Sequence, residues 1–197
     1  MMSMACENYK VSANTLAVFS RVKKKLKKGE DVRNRILSSG EFDNLIKKAE
    51  DHLKPIIATG YYTGMRKGEI LKLTWNKVDL NERLIKLQAT DTKDKQARLI
   101  PICDELYDIL RDLPNRIHSA GKNKRVFLYK GNPIKAFTRS LTTACKDAGI
   151  KYGRFVEGGF IFHDLRHTYN TMMRKSGVDE TVIMAITGHS TREMFDR

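Results

Sequence analysis

Apolar residues recur at the three- and four-residue spacing of helices over much of the chain. The clearest case follows Ser38 and Glu41, whose S-x-x-E spacing is that of a helix-capping box. Pro55 starts another segment, which reaches a turn at residues 63–70. Further helices are predicted from about Lys67 to Leu73, before Pro114, before Gly149, and in two segments that close at Gly177 and Gly188. Their predicted inward positions are Phe42, Leu45, Ile46, Ala49, Leu53, Leu106, Ile109, Leu110, Leu113, Phe137, Leu141, Ala144, Ala148, Leu165, Tyr169, Met172, Met173, Val182, Ile183 and Ile186.

A different periodicity predicts two strands in the middle of the chain. Residues 84–90 alternate apolar Ile85, Leu87 and Ala89 with polar neighbours, and residues 96–102 form a second apolar run. The polar stretch D-T-K-D-K between them is typical of a hairpin loop. R-V-F-L-Y, at residues 125–129, is a further short strand, and Trp75, Val78 and Leu80 are expected in the core. The expected fold is therefore mostly α with a small antiparallel β-sheet, an α+β class.

Composition adds a strongly basic charge to this picture. The chain has 197 residues, with 37 Lys and Arg against 23 Asp and Glu and a formal net charge of +14. Such a charge favours a polyanionic partner, most commonly nucleic acid. No long apolar helix, lipidation motif or signal-peptide core is present, so we expect neither membrane attachment nor export. Three widely spaced cysteines without a C-x-x-C pair fit buried thiols in a reducing cytoplasm better than disulfides or a zinc site.

Residues 1–35 differ from the rest because they carry a dense basic run with little periodic apolar content. The stretch R-V-K-K-K-L-K-K-G-E-D-V-R-N-R includes Lys24 and Lys25. It is interpreted either as a solvated linker or as a linker that crosses a phosphate backbone, and both can hold together.

The stretch H-D-L-R-H-T places His163 and Arg166 three residues apart, on one face of a predicted helix. An imidazole and a guanidinium near a helix N-terminus suit an anion, although a surface helix with a casual ion pair is the simpler interpretation. His163 and His167 also have the spacing of a zinc motif, with His189 as a third ligand. A fixed positive charge at Arg166 and the short side chain of Asp164 argue against zinc.

Four motifs together resemble the tyrosine recombinase (phage integrase) family. They are T-G-M-R-K-G-E-I at residues 63–70, T-K in the hairpin loop followed by R-L-I-P-I, H-D-L-R-H-T at residues 163–168, and G-H-S-T at residues 188–191. Their order and rough spacing match the family's catalytic domain, and the resemblance covers residues 36–197. Residues 1–35 would then be a basic linker or the tail of a missing N-terminal core-binding domain.

The resemblance implies a role for each matching residue. Arg66 and Arg166 would clamp the scissile phosphate, and His163 would bind the phosphate or accept the nucleophile's proton. His189 would donate a hydrogen bond to a phosphate oxygen, or it is only a helix C-cap. Glu69 would buttress the site, or it is a solvated helix residue. Lys93 would protonate the leaving 5′ oxygen, with Lys95 as a competitor for that role. Expected DNA-backbone contacts are Lys24, Lys25, Lys95 and Arg98.

The family's nucleophilic tyrosine is due shortly after His189, on a helix opened by the Ser190–Glu193 capping box. No tyrosine follows Tyr169, which is expected to face the core. We therefore expect a chain cut just before its nucleophile, at Arg197, which binds DNA without cleaving it. Alternatives are a tyrosine supplied in trans, or a DNA-binding relative without catalysis.

Further expectations concern the partners of the chain. The resemblance implies duplex DNA, other protomers in a tetramer on DNA, and accessory DNA-bending proteins as partners. It implies neither a metal nor a nucleotide cofactor.

Overall fold

The structure, a computed structural model, describes residues 33–92, 94–114 and 124–189. Seven α-helices occur within these ranges: α1 Ser39–Lys48, α2 Lys54–Thr63, α3 Lys67–Lys72, α4 Asp104–Arg111, α5 Thr138–Asp147, α6 Asp164–Lys175 and α7 Glu180–Thr187. The strands of the same ranges are β1 Val78–Asp79, β2 Leu84–Leu87, β3 Arg98–Pro101, β4 Leu128–Tyr129 and β5 Asn132–Pro133. They form one three-stranded and one two-stranded antiparallel sheet. This mostly helical fold with small antiparallel sheets confirms the predicted α+β class.

Several predictions concern residues outside the described ranges. They are the basic stretch with Lys24 and Lys25, the hairpin lysine Lys93, and the Ser190–Glu193 capping box. Among the described helices the longest has 12 residues, and none offers an apolar stretch of membrane-spanning length.

The predicted start of α1 and the predicted end of α5 are confirmed, whereas α1 itself ends at Lys48, before the predicted inward position Leu53. The hydroxyl of Ser38 accepts a hydrogen bond from the backbone N–H of Glu41 at 3.2 Å, and the Glu41 carboxylate accepts from the Ser38 N–H at 2.9 Å. This reciprocal pair satisfies two N–H groups that have no partner inside α1. Gly149, with φ of 73°, follows the end of α5 in the left-handed conformation.

Two predicted inward positions are wrong. Met172 is 42% exposed and Val182 is 46% exposed. On α6 the inward line runs through Leu165 and Tyr169, which are buried, and it continues four residues later at Met173. On α7 the neighbouring Ile183 is fully buried, and one residue along a helix corresponds to a rotation of about 100°, which turns Val182 outward.

The hairpin of β2 and β3 is confirmed with shorter strands than predicted. Ile85 pairs with Ile100, and both are buried on the core face of the sheet. Pairing stops at Leu87 because residues 89–91 turn into a 3₁₀ helix, where the Asp91 carboxylate accepts a hydrogen bond from the Gln88 N–H at 2.9 Å. The sequence pattern did not predict β1, a two-residue strand that pairs with β2.

Helix α2 packs closely against α6 at Gly60. A Cβ at this position would lie 2.9 Å from Cδ1 of Leu165 and 2.9 Å from Cζ of Phe162, which is closer than carbon atoms normally approach. Leu165 is buried, and Phe162 is only 7% exposed. The absence of a side chain at Gly60 therefore sets the distance between α2 and the start of α6, which carries Arg166.

We expect Gly60→Val to lower the free energy of unfolding by about 1–3 kcal/mol, because its branched side chain would overpack the α2–α6 contact. The matched control is Gly40→Val in α1, where a Cβ would meet nothing within 4 Å. That control should change the free energy of unfolding by less than about 0.5 kcal/mol. Urea denaturation of the two variants checks the prediction, and equal values would show that Gly60 does not set the contact.

Candidate functional site

Arg66 lies in the short connection between α2 and α3, directly before the first residue of α3. Glu69 accepts two hydrogen bonds from it: Oε2 accepts from the backbone N–H at 3.0 Å, and Oε1 accepts from Nη1 at 3.1 Å. The carboxylate therefore fixes the backbone and the side chain of Arg66 together. The Arg66 side chain keeps 21% of its surface exposed, so it remains within reach of a ligand from solvent.

Glu69 is buried and shared with a second arginine. It is 5% exposed, and its Oε1 also accepts a hydrogen bond from Nη2 of Arg98 at 2.6 Å. Arg98 is 6% exposed, and its Nη1 donates to the carbonyl of Thr187. The alternative of a solvated Glu69 is therefore wrong, although its i,i+3 partner Arg66 is present. Arg98, expected among the DNA contacts, instead lies in the interior, because its position on β3 faces the core.

Two Thr-Gly turns end α2 and α7, and each supplies a carbonyl to an arginine from the other part of the chain. Gly64 has φ of 62° and Gly188 has φ of 74°, so both adopt the left-handed conformation that ends a helix. Nη2 of Arg66 donates to the Gly188 carbonyl at 2.9 Å. Nη1 of Arg166 donates to the Gly64 carbonyl at 2.9 Å. These crossed hydrogen bonds hold the guanidinium groups of Arg66 and Arg166 close to each other.

Both turns exclude a side chain at the glycine. A Cβ at Gly64 would lie 2.8 Å from Cδ1 of Tyr169, and one at Gly188 would lie 1.9 Å from Nη1 of Arg98. Tyr169 is 6% exposed, which confirms that it faces the core. Burial raises the pKa of Tyr169 to about 12. Glycine is therefore required at each turn by its backbone angle and by the available space.

Arg166 and His189 contact each other at the buried side of the site. Nη2 of Arg166 lies 3.1 Å from Nε2 of His189, whose Nδ1 lies 2.9 Å from the hydroxyl of Thr187. That hydroxyl donates to the Ile183 carbonyl at 2.7 Å, so its oxygen is left to accept from Nδ1–H. Arg166 has only donors, and Nε2 therefore accepts from it. Burial, followed by the charges of Arg166 and Arg66, lowers the pKa of His189 to about 3, so His189 is neutral at pH 7.

His163 lies directly before α6, at the outer edge of the site. The residue as a whole is exposed, but desolvation of its ring by the surrounding protein lowers its pKa to about 4, with further contributions from His167 and Arg166. The rings of His163 and His167 are nearly perpendicular, with centroids 5.3 Å apart. In the described part of the chain, no cluster of three or more His, Cys, Asp or Glu side chains is arranged to hold a metal ion.

The site carries more positive than negative groups at close range. Burial, followed by the charge of Arg66, lowers the pKa of Arg166 to about 9. Asp94 approaches Arg66 from the hairpin loop, with Oδ1 3.4 Å from Nη1. Burial raises the pKa of Asp94, but a backbone hydrogen bond and the charges of Arg66 and Arg98 outweigh this effect and lower it overall. Its Oδ2 is buried without a hydrogen-bond partner in the described residues.

The structure brings together four of the predicted residues, and His163 borders them. The four are Arg66, Glu69, Arg166 and His189. Lys95 is exposed on the hairpin loop in the left-handed conformation, with φ of 54°. Lys93 belongs to the part of the chain that the structure does not describe.

The sequence did not predict the contributions of Thr187, Asp94 and the carbonyls of Gly64 and Gly188. The Thr-Gly dipeptide occurs both before Met65-Arg66 and before His189. The same dipeptide at Thr59-Gly60 lies inside α2, so the Thr-Gly signal for a turn is weak. No comparable signal marks Asp94, because its contact with Arg66 depends on where the hairpin loop folds.

Comparison of the sequence with known proteins identifies relatives over most of the chain. The sequence model of the Phage integrase family matches residues 35–197. An integrase of Salmonella phage P22 is 25% identical over 187 residues, which is 88% of this chain and 45% of the relative. The tyrosine recombinase XerC of Chlamydia caviae is 30% identical over 139 residues, which is 68% of this chain and 42% of the relative. The chain thus spans less than half the length of these two relatives.

Comparison of the fold with solved structures agrees with the sequence matches. The catalytic domain of bacteriophage HP1 integrase has a TM-score of 0.62 and 27% identity, covering 83% of this chain and 85% of that one. XerA recombinase has a TM-score of 0.68 and 22% identity, covering 98% and 74%. A lambda integrase dimer bound to a COC′ core site has a TM-score of 0.70 and 17% identity, covering 99% and 54%. With a family match over residues 35–197 and the same fold, the chain belongs to the phage integrase family.

Proposed function

We propose that this chain provides the phosphate-binding site of a tyrosine-type DNA recombinase. In the proposed reaction a tyrosine attacks a DNA phosphate, expels the 5′ hydroxyl and forms a 3′-phosphotyrosyl bond, which a free 5′ hydroxyl later attacks. Both steps exchange one phosphoester for another, so the bond energy is retained. The observation that carries the proposal is the crossed pair of hydrogen bonds from Arg66 to Gly188 and from Arg166 to Gly64.

Two guanidiniums held in this way suit a phosphodiester. Each offers parallel N–H donors that match non-bridging phosphate oxygens, and each stays charged at pH 7. Charge on those oxygens grows as the pentacoordinate transition state forms, and donors that are already in position stabilise it without reorganisation. Removing one such donor typically costs about 3–4 kcal/mol of transition-state stabilisation.

Asp94 supports an anion site because its carboxylate is a second anion, besides the buried Glu69, that Arg66 contacts in this structure. Its carboxylate lies within 3.4 Å of Arg66, in a site where Arg98 and Arg166 add positive charge. A DNA phosphate at the same guanidinium would take over that contact. We propose that Asp94 competes with the phosphate for Arg66.

The remaining residues receive supporting roles in the proposed reaction. Lys93 would protonate the leaving 5′ oxygen, with Lys95 as the alternative on the same loop. His163 is neutral at pH 7, given its pKa of about 4, and could accept a proton at the outer edge of the site. His189 orients Arg166 through Nε2, and a hydrogen bond from His189 to phosphate would require the proton on that nitrogen instead.

Duplex DNA is the proposed partner. The net charge of +14 favours a polyanion, and a lambda integrase with this fold is bound as a dimer to a core site. We propose that further protomers assemble on the DNA, as a tetramer in the complete reaction, with accessory DNA-bending proteins. Binding by this chain alone should be weak, salt-sensitive and largely independent of sequence, because phosphate contacts carry no sequence information.

The nucleophile is proposed to come from outside these 197 residues. Tyr169 is their last tyrosine, and it is buried with a raised pKa, so it is unsuited to attack DNA. The tyrosine could lie further along the same polypeptide or on a neighbouring protomer. A DNA-binding relative without catalysis would share the same phosphate site and would lack any such tyrosine.

We expect Asp94→Asn to increase the affinity for duplex DNA by about fivefold, the factor that corresponds to roughly 1 kcal/mol for a partly exposed ion pair. The matched control is Asp91→Asn, which removes the same charge from the same loop, where Asp91 pairs with Lys77. Fluorescence anisotropy at fixed ionic strength measures both affinities. An equal increase in DNA affinity in the two variants would mean that only the net charge matters. It would contradict competition between Asp94 and the DNA phosphate for Arg66.

We expect this chain to leave no SDS-resistant adduct on nicked duplex DNA, since Tyr169, the tyrosine one turn beyond Arg166, is buried with a raised pKa. Gel electrophoresis after denaturation is the measurement. An adduct that maps to one of its own tyrosines would contradict the proposed source of the nucleophile.

The companion measurement is the coding sequence beyond Arg197. A tyrosine codon within a few positions supports the recombinase. A stop codon supports a tyrosine donated in trans by a neighbouring protomer, or the DNA-binding relative without catalysis.

A further inference from the structure

Phe155 is an aromatic side chain that is almost fully exposed to solvent. It is 92% exposed, more than any other exposed large apolar residue in the described ranges, and the adjacent Val156 is 45% exposed. Both lie in the loop of residues 151–160, between α5 and α6. Single exposed apolar residues are common, so the exposure gains meaning only from how the loop is built.

Backbone hydrogen bonds close the base of this loop. The Lys151 carbonyl accepts from the Phe160 N–H at 2.7 Å, and the Phe160 carbonyl accepts from the Gly153 N–H at 3.0 Å. Phe160 is fully buried and anchors the returning segment. A third bond, from the Gly159 N–H to the Val156 carbonyl at 2.8 Å, closes the tip. The fold therefore holds Phe155 out in a defined place.

Close backbone contact inside the loop also fixes the position of Phe155. A Cβ at Gly159 would lie 2.4 Å from the Gly153 carbonyl oxygen, so no other residue fits there without moving the backbone. Gly153 and Gly158 have φ of 141° and 67°, values that favour glycine. Three glycines thus shape the tip that presents Phe155.

The loop leads directly into α6, the helix that carries Arg166 of the proposed phosphate site. Its last residue is followed by Ile161, whose N–H donates to the carboxylate of Asp164 at 2.8 Å. Asp164 is the first residue of α6 and is fully buried, and the same helix carries Arg166. The aromatic tip is therefore fixed to the end of α6 at which His163 lies.

The charge around Phe155 decides which partner fits the ring. Lys151 and Arg154 are exposed residues of the same loop, against one acidic residue, Glu157. A basic rim around an exposed ring suits nucleic acid, because the cations contact the phosphate backbone. Apolar side chains such as Phe also wedge against base steps in DNA grooves.

We propose that Phe155 is a DNA-contacting residue whose ring packs on the bases of the duplex held at the Arg66–Arg166 site. The inference rests on the proposed function and adds a contact with the bases to a site that otherwise binds only the backbone. Its contribution comes from an uncharged ring. It therefore leaves the number of neutralised phosphates unchanged.

The test measures affinity for duplex DNA at several salt concentrations, with Phe155→Ala, Phe155→Trp and the control Tyr129→Ala. Tyr129 is an aromatic residue with 45% exposure on β4, outside the phosphate site. We expect Phe155→Ala to weaken binding about tenfold at every salt concentration, because the apolar area of the ring is no longer buried, with an unchanged slope of log K against log[salt]. Phe155→Trp should stay within about threefold of the parent chain, and Tyr129→Ala should match the parent.

Three results would overturn the inference. Unchanged affinity in Phe155→Ala would exclude a contact with DNA. A reduced salt slope would show lost phosphate contacts instead of a lost ring contact. Weaker self-association of Phe155→Ala in sedimentation without DNA, at unchanged DNA affinity, would assign the ring to a second copy of the chain.

Arg66→Ala, measured in parallel, separates this inference from the proposed function. If Arg66→Ala weakens DNA binding and Phe155→Ala does not, only the contact at Phe155 fails. If neither variant changes binding, the phosphate site and the inference that rests on it both fail.

Discussion

The buried carboxylate of Glu69 is the interaction on which the site depends. It holds the backbone and guanidinium of Arg66, and it also pairs with Arg98, which in turn reaches the carbonyl of Thr187. Both Glu69 and Arg98 are nearly inaccessible to water, so neither charge tolerates the loss of its partner. Removing one member of a buried pair costs about 3–5 kcal/mol, because the other charge is left without compensation. One acidic side chain therefore ties α3, β3 and the end of α7 into a single unit.

The packing of α2 against α6 brings Arg166 next to Arg66, so that the two arginines form one site. Gly60 sets the distance between α2 and α6, and the two Thr-Gly turns then face each other across the site. Each turn gives its carbonyl to the arginine of the opposite segment, so a shift in one helix would displace both guanidiniums. Preorganisation of this kind suits a reaction in which charge appears on phosphate oxygens and must be met by donors already in place. The same end of α6 also carries the loop of Phe155, so one helix would link phosphate and base contacts.

Local features of the fold could be predicted from the sequence, and contacts between distant segments could not. The capping box at Ser38 and the glycine after α5 depend on neighbouring residues and are confirmed. The hydrogen bond from Arg66 to Gly188 joins residues 122 positions apart, and no local pattern specifies it. Arg98 illustrates the limit, because a basic residue beside a hairpin loop suggests a surface contact whereas its strand position turns it inward. Val182 shows the same limit at the scale of one residue along a helix.

The most direct test of the phosphate site is a crystal structure of this chain bound to duplex DNA. We expect one backbone phosphate with non-bridging oxygens about 2.7–3.2 Å from the guanidinium nitrogens of both Arg66 and Arg166. The Glu69–Arg98 pair should remain in place, and the carboxylate of Asp94 should move away from Arg66. DNA bound on another face, with Arg66 still paired to Asp94 and no phosphate between the two arginines, would contradict the phosphate site and the function derived from it.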